Sequence, residues 1–244
     1  MSAPDPIERE LKVSTRDAPA AIRTIEAAGA ALVLPRHWER NWVLDRAEEL
    51  LRARSLLRVR DRWSEAGDAL GAVVTVKRPL ETPAASGGIK ELHEHETTVA
   101  NAAAAIQVFS QLDYRIARRY HKARTAWRLD DHEIVLDETP IGPWIEIEGP
   151  EPARLALLLG LPDRGDLRNY LSIYDAHRAQ RLHLPEDMVF VDVAGDGSEP
   201  VEVTPPGFEG VQPDAAGRGP EASQDPVPEL ERPCHEPGSV EVPD

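Results

Sequence analysis

A single cysteine, few aromatic residues (5%) and no long apolar run mark this chain of 244 residues. With Cys234 alone, neither an internal disulfide nor a cysteine-based zinc site is possible. The N-terminus lacks a secretory apolar core and no segment is apolar for long enough to span a bilayer, so no membrane partner and a cytoplasmic location are expected. Basic residues are also in short supply. Against 43 Asp and Glu there are 28 Lys and Arg, a net charge of −15. A broad basic surface for nucleic acid is thereby excluded, although a local basic cavity is not.

The acid is unevenly spread. Residues 195–244 hold 12 acids against Arg218 and Arg232, a net of −10, together with 10 of the 22 prolines. Such a stretch cannot bury enough apolar surface to offset its ordering entropy. The expected organisation is therefore one folded domain over residues 5–193 and an acidic, Pro-rich disordered tail over 194–244.

What the folded part does contain is alternation. Eight segments follow period two: 7–13, 37–45, 55–63, 72–79, 89–99, 120–129, 132–138 and 143–149. Helical spacing appears at 17–33, where Pro19 suits a first turn and Gly29 a terminus, and at 101–112, 151–161 and 167–182. In most strands one face is apolar or neutral: Leu57 and Val59, Val74 and Val76, Ile134 and Leu136, Ile145 and Ile147. The opposite face carries like charges two residues apart, as in Arg58 and Arg60, Lys122 and Arg124, Glu94 and Glu96, Glu146 and Glu148. A solvated sheet face would explain any one strand, but it usually mixes charges and neutral polar residues. Like charges stacked side by side cost free energy unless something of opposite sign lies between them.

An α+β fold resolves this: an eight-stranded antiparallel closed β-barrel, a tunnel with a charged interior and helices packed outside. Eight strands enclose room for one small ligand. Five inward cations, Arg58, Arg60, Lys77, Lys122 and Arg124, suit a strongly anionic ligand, since arginine's planar fork matches phosphate oxygens. Seven inward carboxylates, Glu8, Glu10, Glu94, Glu96, Asp137, Glu146 and Glu148, would repel that ligand alone. They are reconciled with it by Mg²⁺ or Mn²⁺, hard cations that take oxygen ligands and bridge to phosphates.

The segment "ERELK" at 8–12 matches the ExExK motif of the CYTH superfamily, the triphosphate tunnel metalloenzymes. The likeness extends in order through "LLRVRDR", "VVTVKRP", "HKARTAW" and "VLDETPIGPWIEIEG", and covers about residues 5–180. The resemblance implies that Glu8, Glu10, Glu146 and Glu148 coordinate the metal, with Asp137 a further ligand. It implies that Arg58, Arg60, Lys77, Lys122 and Arg124 grip a triphosphate. Lys12 would bind phosphate or orient the nucleophile, acting in catalysis with Glu8 and Glu10. Two departures stand out: Leu92 where the family often has an arginine before its fifth-strand E-x-E, with Lys90 two residues earlier, and "RAEELLRAR" after Asp45 in place of a Gly- or Asp-rich turn.

Three functions fit that resemblance. The first and favoured is metal-dependent hydrolysis of tripolyphosphate, thiamine triphosphate or a nucleoside triphosphate. The second is cyclisation of ATP to cyclic AMP and pyrophosphate, as in class IV adenylate cyclases. The third is a non-catalytic polyphosphate sensor. Family members often pair, so a homodimer is also an expectation.

Overall fold

The computed structural model describes residues 7–80, 87–181, 183–192 and 200–208. Eight strands form one closed antiparallel barrel: β1 (Ile7–Ser14), β2 (Ala31–Asp45), β3 (Leu56–Ser64), β4 (Ala69–Pro79), β5 (Lys90–Val99), β6 (Arg115–Leu129), β7 (His132–Thr139) and β8 (Gly142–Glu148). Their order around the barrel is β1-β5-β4-β3-β2-β6-β7-β8. The first strand closes the ring between β5 and β8, with Glu10 paired to Lys90 on one side and to Glu148 on the other.

Outside the barrel lie the helices α1 (Ala18–Ala27), α2 (Glu49–Arg52), α3 (Ala102–Ser110), α4 (Pro152–Leu158) and α5 (Tyr170–Arg178). The Asp17 side chain caps α1 by accepting from the Ala20 amide, and Asn101 caps α3 through the Ala104 amide. Outward residues of β1, β7 and β8 (Leu11, Ile134, Leu136, Ile145, Ile147) pack with Trp127 against Ile25 of α1 and Leu155 and Ala156 of α4. Across the barrel, Trp42, Leu44, Leu57 and Val59 pack under Ala102 and Ile106 of α3. The apolar stripes thus point outward, and the helices remove them from water.

Two boundaries differ from the sequence reading. The helix read within 17–33 ends at Ala27, just before Gly29 as expected; that glycine's left-handed conformation (φ +87°) turns the chain into β2, which begins at Ala31 rather than at His37. Pro35 is accommodated in that strand where the β2–β6 register slips between Leu34 and His37, so its missing N–H breaks no regular ladder. The strand expected from Tyr120 begins at Arg115.

The expected domain limit at residue 193 also needs revision. Residues 200–208 return to the barrel as a short strap. Val201–Glu202 (β10) pairs antiparallel with Val191–Asp192 (β9), and Phe208 is 3% exposed. The Phe208 ring stands edge-on to His121, and its carbonyl accepts from Arg40 Nη1 at 3.1 Å. One apolar residue and one buried ion pair, Arg40 with Asp61 at 2.7 Å, provide the anchorage that composition alone concealed. The remainder of the acidic tail, with Cys234, lies outside the described residues.

Candidate active site

Paired residues in neighbouring strands share a face, so the register fixes what the barrel encloses. Glu10 opposes Glu148, Lys12 opposes Glu146, Lys77 opposes Glu94, Arg58 opposes Thr75, and Arg124 opposes Asp137. Every residue proposed from sequence is on this inner face. A cavity of about 2310 Å³ runs between them, lined by Glu8, Glu10, Lys12, Arg58, Arg60, Lys77, Glu94, Glu96, Arg124, Glu146 and Glu148. Lys122 and Asp137 lie behind that lining.

The seven carboxylates fall into groups with different surroundings. Glu8, Glu10 and Glu148 each bring an oxygen within 4.8 Å of the others, the one such cluster among the described residues. Burial, and then its acidic neighbours, raise the Glu8 carboxyl above its usual range despite Lys77, and burial with Glu8 raises Glu148 much further. Glu10 is opposite: burial would raise it, but Lys90, Lys12 and Lys77 hold it down at about 2. One ionised carboxylate flanked by two that resist ionisation is a trio short of positive charge. All-oxygen donors converging in this way suit Mg²⁺ or Mn²⁺.

The other four are already engaged. Asp137 is fully buried, and its oxygens accept from Lys122 Nζ, from Arg124 Nε and Nη2 at 2.7 Å each, and from the Tyr170 hydroxyl at 3.0 Å. Burial would raise its carboxyl, yet Arg124 and Lys122 hold it well below the usual range. It does not join the trio: it anchors cations. Glu146 accepts from Arg124 Nη2 at 2.7 Å. Glu94 lies 3.2 Å from Lys77 Nζ, and Glu96, whose side chain is 46% exposed, accepts from Thr75 Oγ1.

The cations divide likewise. Arg58 donates to the Tyr120 hydroxyl and to Thr75, and Arg60 to Asn41 and Glu39. Lys122 lies between Asp137 at 2.7 Å and Glu39 at 3.5 Å, so it belongs to the framework rather than to the cavity wall. Lys12 is buried 3.5 Å from Glu10, with its ammonium 4.8 Å from the centre of the Tyr170 ring. Lys77 places its ammonium 2.8 and 2.6 Å from the two oxygens of Glu8.

Several site residues escaped the sequence reading. Glu39, 1% exposed, is held well below the usual carboxylate range by Arg60, Lys122 and Arg124 against the effect of burial. Its neighbours two residues away on that face are His37 and Asn41, so the signal of like charges two residues apart is absent. Arg62 and Glu133 also line the cavity, and both were within reach by extending the period of two from Arg60 and Asp137. Tyr170 comes from α5, and strand periodicity says nothing of it.

Structures of similar architecture are known. A Vibrio parahaemolyticus protein described as a candidate adenylate cyclase aligns with a TM-score of 0.58 at 17% identity, over 69% of this chain and 98% of that one. Two Pyrococcus horikoshii proteins align with TM-scores of 0.58 and 0.52 at 17% and 21% identity, over 70% and 67% of this chain and 99% and 96% of theirs. At these identities the likeness is one of fold. No curated protein matches the sequence. The family model of the CYTH domain matches residues 6–157, which takes in all eight barrel strands and every cavity residue named above except Tyr170. The chain belongs to the CYTH domain family.

Proposed function

We propose that this protein is a Mg²⁺- or Mn²⁺-dependent triphosphatase that hydrolyses a triphosphate bound inside the barrel. The observation that carries the reading is the division of the cavity wall: Lys12, Arg58, Arg60, Lys77 and Arg124 line the same space as the converging carboxylates Glu8, Glu10 and Glu148. Phosphoryl transfer asks a protein chiefly for positioning and charge stabilisation, and this wall offers both. Glu8, Glu10 and Glu148 would hold the ion, which would supply positive charge against that of the phosphate.

The chain's own residues do the rest. Arg58 and Arg60 are braced by Tyr120, Thr75, Asn41 and Glu39, so their guanidinium planes are held before a phosphate arrives. Arg124 is fixed by Asp137 and Glu146. Such bracing lowers the ordering cost of binding. Lys12 stands beside Glu10, where it can bind the phosphoryl group under attack. Water attacks the terminal phosphorus, the bond from that phosphorus to its bridging oxygen breaks, and inorganic phosphate and the diphosphate remainder leave, the water's proton passing to the departing oxygen or to solvent.

The test is incubation with Mg²⁺ or Mn²⁺ and either tripolyphosphate or ATP. Phosphate release without cyclic AMP supports hydrolysis. Cyclic AMP with pyrophosphate would replace it with cyclisation, the activity offered for the Vibrio parahaemolyticus protein. Binding without turnover would make the barrel a sensor.

A further inference from the structure

We infer that Lys77 is a displaceable internal cation: it occupies Glu8 until a divalent ion takes that carboxylate, and is then free to engage the bound phosphate. The inference rests on the metal-site reading above and adds to it a coupling between ion and substrate.

The geometry singles out this lysine. Its ammonium contacts both oxygens of Glu8, at 2.8 and 2.6 Å, and Glu94 at 3.2 Å. Glu8 belongs to the converging trio, so an ion that binds Glu8 must share an oxygen with the ammonium or expel it. The cavity arginines are tied outside the trio, and Lys12 reaches it only at one oxygen of Glu10, at 3.5 Å. Arg124 is held by Asp137 and Glu146, Arg58 by Tyr120 and Thr75, and Arg60 by Asn41 and Glu39. Each is a rigid fork with several bonds to lose. Lys77 is a point charge on a flexible stem, and it can turn while β4 keeps its ladder to β3 and β5. It lines the cavity one strand from Arg58 and Arg60, so release from Glu8 leaves it among the phosphate-facing arginines. Glu94 keeps it from drifting away.

Two consequences follow. Without phosphate, Lys77 competes with the metal and weakens its binding. With phosphate, the expelled ammonium gains a new partner, so ion and phosphate each strengthen the other's binding, as linkage requires.

The experiment measures Mn²⁺ binding by the electron spin resonance of the free ion, in wild type, Lys77→Met and Lys77→Gln, with and without inorganic phosphate. The expected result is Mn²⁺ affinity about tenfold higher in both variants without phosphate, within the usual range of coupling factors, and a smaller gain on adding phosphate than wild type shows. Wild type should gain affinity with phosphate. A merely structural lysine would not tighten the metal site when removed. In unmodified protein, reductive methylation of Lys77 should accelerate when Mg²⁺ is added, which avoids any risk of misfolding. Equal or weaker Mn²⁺ binding in folded variants, or methylation unaffected by Mg²⁺, would overturn the role of Lys77 and leave the metal site standing. Absence of Mn²⁺ binding from wild type and variants alike would overturn the metal site, and this inference with it.

Discussion

At the scale of single residues, carboxylates of the same charge do opposite work. Glu148 is half-buried beside Glu8 and Glu10, and desolvation there, with Glu8, pushes its carboxyl well up. Its neutral isostere is therefore tolerated: Glu148→Gln should leave metal-free unfolding free energy unchanged or higher, while Mg²⁺-dependent turnover falls about 100-fold or more, the size of losing one charge-stabilising group. Asp137 is the reverse. Asp137→Asn would leave Lys122 and Arg124 buried beside a neutral partner, a loss of about 3–5 kcal/mol in urea unfolding, with Mn²⁺ affinity nearly kept. If both variants lost stability equally, the division of labour between metal trio and cation anchor would be wrong. The paired charges of Glu8 and Glu10, or of Arg58 and Arg60, were visible in the sequence because period two is exact along a strand. Which carboxylates converge on one another and which face an arginine was not, since that depends on partners from strands distant in sequence.

At the scale of elements, the strap over residues 200–208 decides how much chain the fold needs. Phe208 fills an outer-face niche bounded by His121 and Arg40, whose guanidinium stands 4.8 Å from the ring centre. Burial of an aromatic ring of this kind is worth about 3 kcal/mol or more. A chain ending at Asp192 should melt at a distinctly lower temperature than one ending at Phe208, which should match the full-length protein. Equal melting of all three would show the strap to be passive. Its packing was illegible in sequence because one phenylalanine in a Pro-rich acidic stretch shows no period. The barrel strands, by contrast, repeat their pattern over seven residues or more, and their closure into a ring followed from the need to neutralise two opposed sets of charges.

At the scale of the molecule, the interior links stability to pH from both sides. The Glu10, Glu39 and Asp137 carboxyls are lowered, so their stabilisation is present above the usual carboxylate range near ~4 and fades as pH falls toward their folded values. Glu8 and Glu148 are raised, so their contribution is present below that range and lost as pH climbs through their folded values. Metal-free protein should thus lose stability toward both ends of the pH range, on the acid side also because buried His121, lowered to about 3, resists protonation. If the ionised trio is the seat of the ion, as proposed, Mg²⁺ should raise the melting temperature more at pH 8 than at pH 5. Calorimetry with and without Mg²⁺ across that interval checks this, and an equal rise at both ends would argue against the trio as the ion's seat.

The position of β1 bears on how the cavity is assembled. Glu8 and Glu10 lie on the first barrel strand, yet that strand pairs with β5 and with β8, the last strand of the ring. During synthesis these residues emerge early and wait through more than 130 others for the partner that carries Glu148. Long-range pairings of this kind are slow to form. Ring closure and the convergence of Glu8, Glu10 and Glu148 are then a single late event, so a partly folded chain lacks the assembled carboxylate cluster.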